Sequence, residues 1–426
     1  MKYAKNQKKF KINLDFFKKE KLKFSIKTLP QTLSQYFQLL VEKIKSDNIK
    51  KNRKKIVKFF AMLLVLILSI NIYSNRYYLT PDQIITFFQD KFVSIGHGDG
   101  FPRPVYGAKV TPQNFQLLDG DVVLSSDTNI TCYNKNSKEI FNRQHSFFSP
   151  TLKTSKNKAL LYDLYGKSFE IDAKSKNLYK STLDDEILCA GIAENGNYGI
   201  ATKTNGYFSK VSIFKRLSAD KIYEYNFSDT YVSDLDLSPN GKNFSAVGLS
   251  SQNGCMYSNL FIFSCDDENP KFKIQFKDSM IFKLSYVNNN HIAVLGDNIF
   301  SVINTKNGQR KDYNFENKTL TAFEINKNDR HVLSLSNSDD GNSCEVVVID
   351  KNGDVLSNFK TDIKIKSISY KNRKIAALSY DKVYVYNKKG KLLKTLNCDQ
   401  NTKVIKFFGS KKLYSLGVST VQKISF

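Results

Sequence analysis

The sequence of 426 residues contains no tryptophan, and this absence narrows the classes of β-rich protein to which it can belong. A chain without tryptophan has no Trp-Asp dipeptide, which is the mark of WD repeats. It also has none of the tryptophans that dock neighbouring sheets in quinone-dependent dehydrogenases. We therefore expect no cofactor.

Motifs that hold metals or perform catalysis are missing as well. No histidine has a second ligand residue at metal-binding spacing, and neither H-E-x-x-H nor G-x-S-x-G occurs. We expect no zinc site, and no residue of the sequence is predicted to be catalytic. The cysteines stand singly, without a C-x-x-C pair, and mostly in apolar runs, which favours free buried thiols over disulfides. They are Cys132, Cys189, Cys255, Cys265, Cys344 and Cys398.

Positive charge is concentrated at the start of the chain, before one long apolar run. The net charge is +25, and residues 1–58 carry 18 Lys or Arg against 4 Asp or Glu. The run Phe59–Asn75 has no charged residue. At 1.5 Å per residue, the apolar stretch 56–73 covers roughly 27 Å, close to the thickness of a hydrocarbon core. The pattern predicts a transmembrane helix over residues 56–75, because nothing nearby could bury a helix that is apolar all round.

The charge also predicts the orientation of this helix. Basic flanks stay in the cytoplasm, so residues 1–55 form a cytoplasmic tail and the larger C-terminal part lies outside the cell. The basic region is longer than that of a cleaved signal peptide, and no small-residue cleavage site follows the apolar run. We expect an uncleaved signal anchor in the cell membrane.

The basic tail allows three interpretations, which are a solvated segment, a contact with anionic lipid headgroups and nucleic-acid binding. Lipid is the nearest polyanion, whereas no recognisable nucleic-acid-binding fold accompanies the charge, so nucleic acid is not expected as a partner. A capping box at Thr32 and an apolar stripe from Leu33 to Ile44 predict a short amphipathic helix in the tail. The basic side chains expected to face lipid are Lys51, Arg53, Lys54, Lys55 and Lys58.

Residues 76–103 predict a short helix and a glycine-rich linker. Thr80-Pro81-Asp82-Gln83 is a capping box with proline at the first helical position. The helix presents one apolar face, which we expect to lie on the outer leaflet or on the base of the next domain. The residues of that face are Ile84, Phe87, Phe88, Lys91 and Ile95. The linker Gly96–Pro102 is not a dinucleotide fingerprint, because a helix and not a strand precedes it.

Residues 104–426 predict an all-β repeat domain. Short alternating runs are separated by Asn-Gly, Lys-Gly and Asp-Gly turns, and innermost strands recur every 34 to 48 residues, the period of four-stranded propeller blades. The starts of these strands fall near Phe115, Thr151, Ile187, Val232, Met280, Thr319, Ile365 and Val404. The fold class is therefore a β-propeller of eight blades, with seven as the alternative. The last unit has three strands, and we expect the strand 104–110 to complete it.

Three residues of this domain are candidate ligand contacts. Asp234 and Asp236 lie at alternate positions of a strand, so both point to one face, where they could bind a cation or a ligand. The following Ser238-Pro239-Asn240-Gly241 turn lacks the spacing of a calcium loop, which makes a metal the less favoured interpretation. His145 is the histidine that we would test first, and a role in the core or in a turn remains open for each histidine.

Several of these segments together resemble a family of membrane-anchored propellers from clostridia and related Firmicutes, which is catalogued as a domain of unknown function. The basic tail and the span come first, followed by segments whose order is shared with that family. These segments are Gly96–Pro102, His145 with Pro150, Ala159–Asp163, Gly166-Lys167 and Leu237–Gly241. The resemblance runs from about Thr80 to the last residue, and it implies topology without implying catalytic residues.

The sequence thus predicts a membrane-anchored, extracellular β-propeller that acts as a binding or scaffolding module. Its expected partners are the bilayer and anionic headgroups at the tail, and an unknown protein or cell-envelope ligand on one ring face. The alternative is an extracellular hydrolase or lyase with a site assembled at the mouth of the central channel. Two or more carboxylates together with His145 or His291 at that mouth would favour the enzyme.

Overall fold

The computed structural model describes residues 53–74, 81–252, 254–327, 329–337 and 341–426. The chain divides into two compact units, Met1–Arg76 and Tyr77–Phe426. In the first unit, α1 spans Arg53–Ser74. Within the described ranges, no helix is both long and apolar enough to cross a membrane. The predicted amphipathic helix of the tail and Lys51 lie outside the described residues.

The second unit begins with α2, Pro81–Val93, which forms where the capping box predicts a helix. A short 3₁₀ turn covers Pro112–Asn114, and the other elements are strands. In the first half of the unit these strands are β1 (Arg103–Pro104), β2 (Phe115–Leu118), β3 (Asp121–Ser125), β4 (Asn129–Tyr133), β5 (Glu139–Gln144), β6 (Pro150–Ser155), β7 (Lys158–Asp163), β8 (Ser168–Asp172), β9 (Asn177–Thr182), β10 (Ile187–Ile192), β11 (Tyr198–Thr204), β12 (Tyr207–Phe214), β13 (Lys221–Phe227), β14 (Tyr231–Leu237), β15 (Asn243–Gln252), β16 (Cys255–Ser264) and β17 (Phe272–Phe276).

The second half continues the same repeat. Its strands are β18 (Ile281–Asn288), β19 (His291–Gly296), β20 (Ile299–Asn304), β21 (Arg310–Asn314), β22 (Thr319–Glu324), β23 (His331–Ser336), β24 (Cys344–Ile349), β25 (Val355–Thr361), β26 (Ser367–Lys371), β27 (Lys374–Ser379), β28 (Lys382–Asn387), β29 (Leu392–Asn397), β30 (Val404–Gly409), β31 (Lys412–Leu416) and β32 (Thr420–Ser425).

These strands form eight antiparallel sheets of four, which are the blades of a β-propeller. Blades 1 to 7 each take four consecutive strands, from β2–β5 to β26–β29. Blade 8 has the order β1-β32-β31-β30, in which Arg103 pairs with Val421 and Pro104 with Thr420. The N-terminal strand therefore closes the ring by completing the last blade, as the sequence predicts, but it covers only Arg103–Pro104 and does not extend over the expected 104–110. Eight blades are present, and the alternative of seven is wrong.

The burial of the strands explains why the sequence shows their pattern of apolar and polar residues. The second and third strands of a blade are covered on both faces by neighbouring blades, so β3, β4 and β23 are buried at every residue. The fourth strand faces solvent, and β29 is almost wholly exposed. Apolar clusters fill the spaces between adjacent blades. One of them joins Phe115 and Tyr133 of blade 1 to Tyr414 and Val421 of blade 8, so the closing seam has a core of its own.

The linker before β1 depends on a glycine. The Gly98 backbone N–H donates to Asn136 O at 3.0 Å, and a Cβ at Gly98 would lie 2.4 Å from the Ser137 carbonyl oxygen. Asn134 Nδ2 donates to Ser94 O and Gly96 O from the same turn. The glycine allows the linker to lie directly on the β4–β5 turn of blade 1.

Candidate functional site

The propeller has two faces, which the connections between its strands define. We call one the hairpin face, formed by the turns between the first and second and between the third and fourth strands of the blades. The opposite loop face is formed by the turns between the second and third strands and by the connections between blades. Because the strands of each blade run antiparallel, every turn of one kind lies at the same end of the ring.

The two faces carry opposite charge. The turns of the hairpin face contain 18 Lys or Arg against nine Asp or Glu. Among the described residues of the loop face, seven Lys or Arg stand against eleven Asp or Glu. The ring therefore has a basic hairpin face and an acidic loop face, and each attracts ligands of the opposite sign.

Helix α2 is fixed to the hairpin face by its polar side chains. Gln83 Nε2 donates to Asn195 O at 2.9 Å in blade 3, and Asp90 Oδ1 accepts from the N–H and the hydroxyl of Ser175 in blade 2. Lys91 pairs with Asp119 of blade 1 at 2.7 Å. Three blades thus hold one helix, and Asp90 is buried by the contact.

The end of α2 is fixed in the same way. Lys138 Nζ, on the β4–β5 turn, donates to Val93 O at 2.9 Å and to Ile95 O at 2.8 Å. Val93 is the last residue of the helix and Ile95 follows two residues later, so Lys138 binds carbonyls at the C-terminal end of α2, where backbone acceptors lack helical partners and a cation is favourable.

The apolar side of α2 faces away from the propeller. Phe88 is 56% exposed and Phe92 is 70% exposed, and the other large apolar side chains of this side are exposed as well. Of the two expected positions of this side, the outer leaflet or the base of the next domain, the second is wrong, because the polar side of α2 binds the propeller. The exposed apolar residues are Ile84, Ile85, Phe87, Phe88, Phe92 and Ile95.

On the loop face, a groove of about 460 Å³ lies between blades 2, 3 and 4, and we call it the Tyr207 groove. The exposed aromatic side chains Tyr207 and Phe208 form one part of its wall, and the carboxylates 184–186 form another. Glu186 pairs with Lys203 at 2.5 Å and Asp185 with Lys210 at 2.9 Å. Aromatic rings beside carboxylates suit a ligand with a cationic group and an apolar surface.

A second groove of about 460 Å³ lies on the hairpin face between blades 6 and 7. Arg330, Lys351 and Arg373 contribute its basic character, and Arg330 Nη1 donates to the Tyr370 hydroxyl at 2.5 Å. It shares the positive charge of its face.

Asp234 and Asp236 both point from β14 towards the innermost strand of blade 5, as their alternate spacing predicts. Asp234 Oδ2 accepts from Leu284 N at 2.9 Å, and Asp236 Oδ2 accepts from Tyr286 N at 2.7 Å. Innermost strands are sheet edges, so their outward amides need acceptors from elsewhere. The two carboxylates supply them, and a structural role for both residues stands beside the predicted binding role.

The same arrangement recurs in other blades. Glu324 Oε2 accepts from Tyr370 N at 2.6 Å, and Ser369 Oγ accepts from Phe407 N at 2.9 Å. Asn114 Oδ1 accepts from Leu152 N at 3.0 Å. Side-chain acceptors therefore link one inner edge to the next where no sheet hydrogen bonds are made.

Lysines accompany these buried carboxylates. Lys153 Nζ lies 2.7 Å from Asp234 Oδ1, and Lys283 Nζ lies 3.8 Å from Asp234 Oδ2. Repulsion by the Lys153 ammonium lowers the pKa of Lys283 to about 8. Burial would raise the pKa of Asp234, but the two lysines outweigh it and the pKa is lowered. Asp234 is therefore a charged residue shared by two cations.

His145 lies apart from the aspartates. It follows β5 in the connection between blades 1 and 2, with its ring stacked on Phe147 at 5.2 Å and Nε2 at 3.3 Å from Ser125 Oγ. Burial lowers its pKa. The structure thus places His145 on the loop face and does not bring it to Asp234 or Asp236.

The other histidines are dispersed. His291 begins β19 with Nδ1 3.2 Å from Asn288 Oδ1, and His331 is buried in β23, where burial lowers its pKa to about 4. Among the side chains described, no group of three or more His, Cys, Asp or Glu is placed to hold a metal ion. The six cysteines are free thiols, of which Cys132, Cys189 and Cys344 are buried and Cys255 is exposed.

The sequence patterns predicted neither the Tyr207 groove nor the charges around Asp234. The sequence does contain a signal for the groove. Tyr207 and Phe208 directly follow the Asn205-Gly206 turn, and two aromatic residues are unusual at such a position because solvent exposure favours polar residues there. No sequence signal pairs Lys153 with Asp234, because they lie 81 residues apart in different blades.

Several solved structures are similar to this chain at low sequence identity. One titled as a eukaryotic initiation factor is 10% identical with a TM-score of 0.51, over 78% of this chain and 89% of that chain. Sqt1 of Saccharomyces cerevisiae is 13% identical with a TM-score of 0.49, and BamB of Moraxella catarrhalis is 11% identical with a TM-score of 0.48. Each covers 76% of this chain and 100% of its own. At 10% identity, the likeness to the initiation factor supports the fold alone.

The sequence comparisons give a family without an activity. No curated protein matches the chain. One family model, described as "Family of unknown function (DUF5711)", matches residues 107–426.

Proposed function

The chain belongs to this family of unknown function, DUF5711, and from its geometry we propose that it is a membrane-anchored propeller outside the cell that binds a partner on its loop face. In this proposal the segment 56–75 is an uncleaved signal anchor in a Firmicute cell membrane, with the basic tail in the cytoplasm. The propeller is a binding or scaffolding module.

The anchor is supported by the sequence of α1 and by its surface. The helix spans Arg53–Ser74, and its basic residues stand at its beginning. Among its described side chains, apolar residues are exposed all along the helix, including Met62, Leu64 and Leu68. A helix with such a surface is suited to lipid. Arg53, Lys54, Lys55 and Lys58 would then contact the inner headgroups.

The observation that carries the binding role is the position of α2. This helix follows the proposed anchor closely in the chain and is held on the hairpin face by contacts with blades 1, 2 and 3. A propeller attached through its hairpin face presents the opposite face to the surroundings. That face contains the Tyr207 groove, whose aromatic and acidic walls suit a protein or cell-envelope ligand with cationic groups.

Labelling of Cys255 in intact cells tests the topology. Cys255 is the one exposed cysteine among the described residues, and it lies at the β15–β16 turn on the loop face. We expect a membrane-impermeant maleimide to label the protein in intact cells, and to lose most of that labelling in a Cys255→Ser variant. The buried thiols provide the internal control, because they should react only after denaturation.

The opposite result would refute the proposed location. If the reagent labels Cys255 only after the cells are lysed, the propeller lies inside. Protease added to intact cells gives an independent measurement, which should remove the propeller and spare the tail.

A further inference from the structure

We propose that the hairpin face, together with α2, is a surface that binds anionic phospholipid. In this arrangement α2 lies in the headgroup region of the outer leaflet with its apolar side against the acyl chains. The basic turns around it contact anionic headgroups. The inference rests on the proposed function, since it assumes that the propeller is anchored outside the cell.

The first support is the division of α2 into two sides. Gln83, Asp90 and Lys91 bind the propeller, whereas the phenylalanines and isoleucines of the helix point outward. An exposed apolar patch of this kind marks a surface that is covered by a partner or by a membrane. Helices with one apolar and one polar side lie in the plane of the interface, with the apolar side about 5 to 10 Å deep.

The second support is the charge of the hairpin face as a whole, which favours an anionic lipid surface over a second copy of the chain as the partner. A symmetric dimer through α2 would bring two hairpin faces together, each with 18 basic against nine acidic turn residues. Such faces repel one another. An anionic leaflet has the complementary charge and attracts lysines that lie near its surface.

The third support is the length of the connection. Only six residues of the sequence, 75–80, separate the end of α1 at Ser74 from the start of α2 at Pro81. An anchor that leaves the bilayer at residue 75 therefore keeps α2 near the leaflet surface.

Because the protein contains no tryptophan, a single introduced tryptophan can report how deeply α2 lies in the bilayer. The full-length protein is reconstituted into phosphatidylcholine and phosphatidylglycerol vesicles that contain a brominated phospholipid, which quenches tryptophan within the acyl region. Phe88→Trp places the reporter on α2. Phe148→Trp is the matched control, because Phe148 is 97% exposed on the loop face.

We expect Trp fluorescence to be quenched at least about two-fold more strongly in Phe88→Trp than in Phe148→Trp. Phe92→Trp provides a second reporter on the same side of α2. Each variant is accepted only if its circular dichroism spectrum matches that of the wild type.

Charge reversal tests the electrostatic part in the Phe88→Trp background. Replacing Lys388, Lys389 and Lys391 on the hairpin face with glutamate should reduce quenching in the anionic vesicles. The same reversal of three exposed loop-face lysines should leave it unchanged. These control residues are Lys109, Lys277 and Lys403.

The outcomes separate this inference from the proposed function, because flotation of the vesicles reports anchoring and quenching reports contact. If the protein floats but neither Phe88→Trp nor Phe92→Trp is quenched more than Phe148→Trp, the surface does not bind lipid while the anchor stands. If charge reversal has no effect, headgroup charge plays no part. If the protein does not float, the proposed anchor is wrong.

Discussion

Glu170 in β8 shows what burial does to a single carboxyl group. Its side chain is 7% exposed, with Lys180 Nζ 4.0 Å away. Burial, and then repulsion by Asp172, raise its pKa to about 7. The folded state therefore holds a proton that the unfolded chain releases near pH 4.5. Stability falls as the pH rises between these two values, and the loss is complete above pH 7.

Glu170→Gln should remove this dependence. At pH 4 we expect the variant to match the wild type, and at pH 8 to be more stable by about 1 to 2 kcal/mol in urea unfolding, allowing for partial hydration. Glu224→Gln is the control. Attraction to Lys221 lowers the pKa of Glu224, so that variant should gain nothing at pH 8. An equal effect of Glu170→Gln at both pH values would contradict the assignment.

Asp234 distinguishes a structural role from a binding role. Asp234→Ala leaves the Leu284 amide without its acceptor and Lys153 without its closest counter-charge. Breaking a buried ion pair from one side costs about 3 to 5 kcal/mol, and we expect a loss of that size in the free energy of unfolding. Asp266→Ala, on an exposed turn, should change stability by less than about 0.5 kcal/mol. If Asp234→Ala leaves the free energy of unfolding unchanged, the structural role is refuted and the predicted role as a ligand contact is favoured.

At the scale of elements, the linker and β1 connect α2 to the closing blade. The backbone of Gly98 lies against the β4–β5 turn, and the chain then reaches β1 in blade 8. The turn also holds the end of α2 through Lys138. One turn of blade 1 therefore fixes both the helix and the path to the strand that closes the ring.

Gly98→Ala should loosen this attachment, because the new Cβ would lie 2.4 Å from Ser137 O. We expect the free energy of unfolding, measured by thermal or urea unfolding, to fall by about 1 to 3 kcal/mol, and the backbone amides of α2 to exchange faster with solvent. Gly409→Ala is the matched control, since its nearest neighbour would lie at 3.5 Å. Equal stability of the two variants would show that the linker can move away from the turn without loss.

The innermost strands were the most predictable elements. Starts expected near Phe115, Ile187, Thr319 and Val404 are found at those residues, and the other four starts lie within two residues of their expected positions. Most of these strands combine an apolar run or an apolar alternation with a following turn that contains glycine or asparagine. Both signals are local, so a single sequence is enough to show them. The outward side of α2 was not predictable in this way, because its apolar stripe gives no indication of whether protein or lipid covers it.

At the scale of the whole molecule, ring closure gives the protein two chemically different faces. Basic and acidic turns are mixed along the chain, and no single segment shows the difference. Only the antiparallel order of strands in eight blades collects lysine-rich turns such as Lys388–Lys391 on one side and acidic connections such as Asp184–Glu186 on the other. The proposed orientation follows from this separation, with the basic face towards lipid and the acidic face towards a partner.

The absence of tryptophan, the apolar run Phe59–Asn75 and the spacing of the turns are properties of the sequence alone, and they determined the fold class and the expected anchor but left the choice between eight blades and seven open. These signals rest on interactions within a strand, a hairpin or a helix. The tertiary structure decided the rest. It paired Lys153 with Asp234, turned the two candidate aspartates towards the amides of the next blade, and placed the polar side of α2 on the propeller. Each of these depends on contacts between segments far apart in the chain, which form only when the ring is closed.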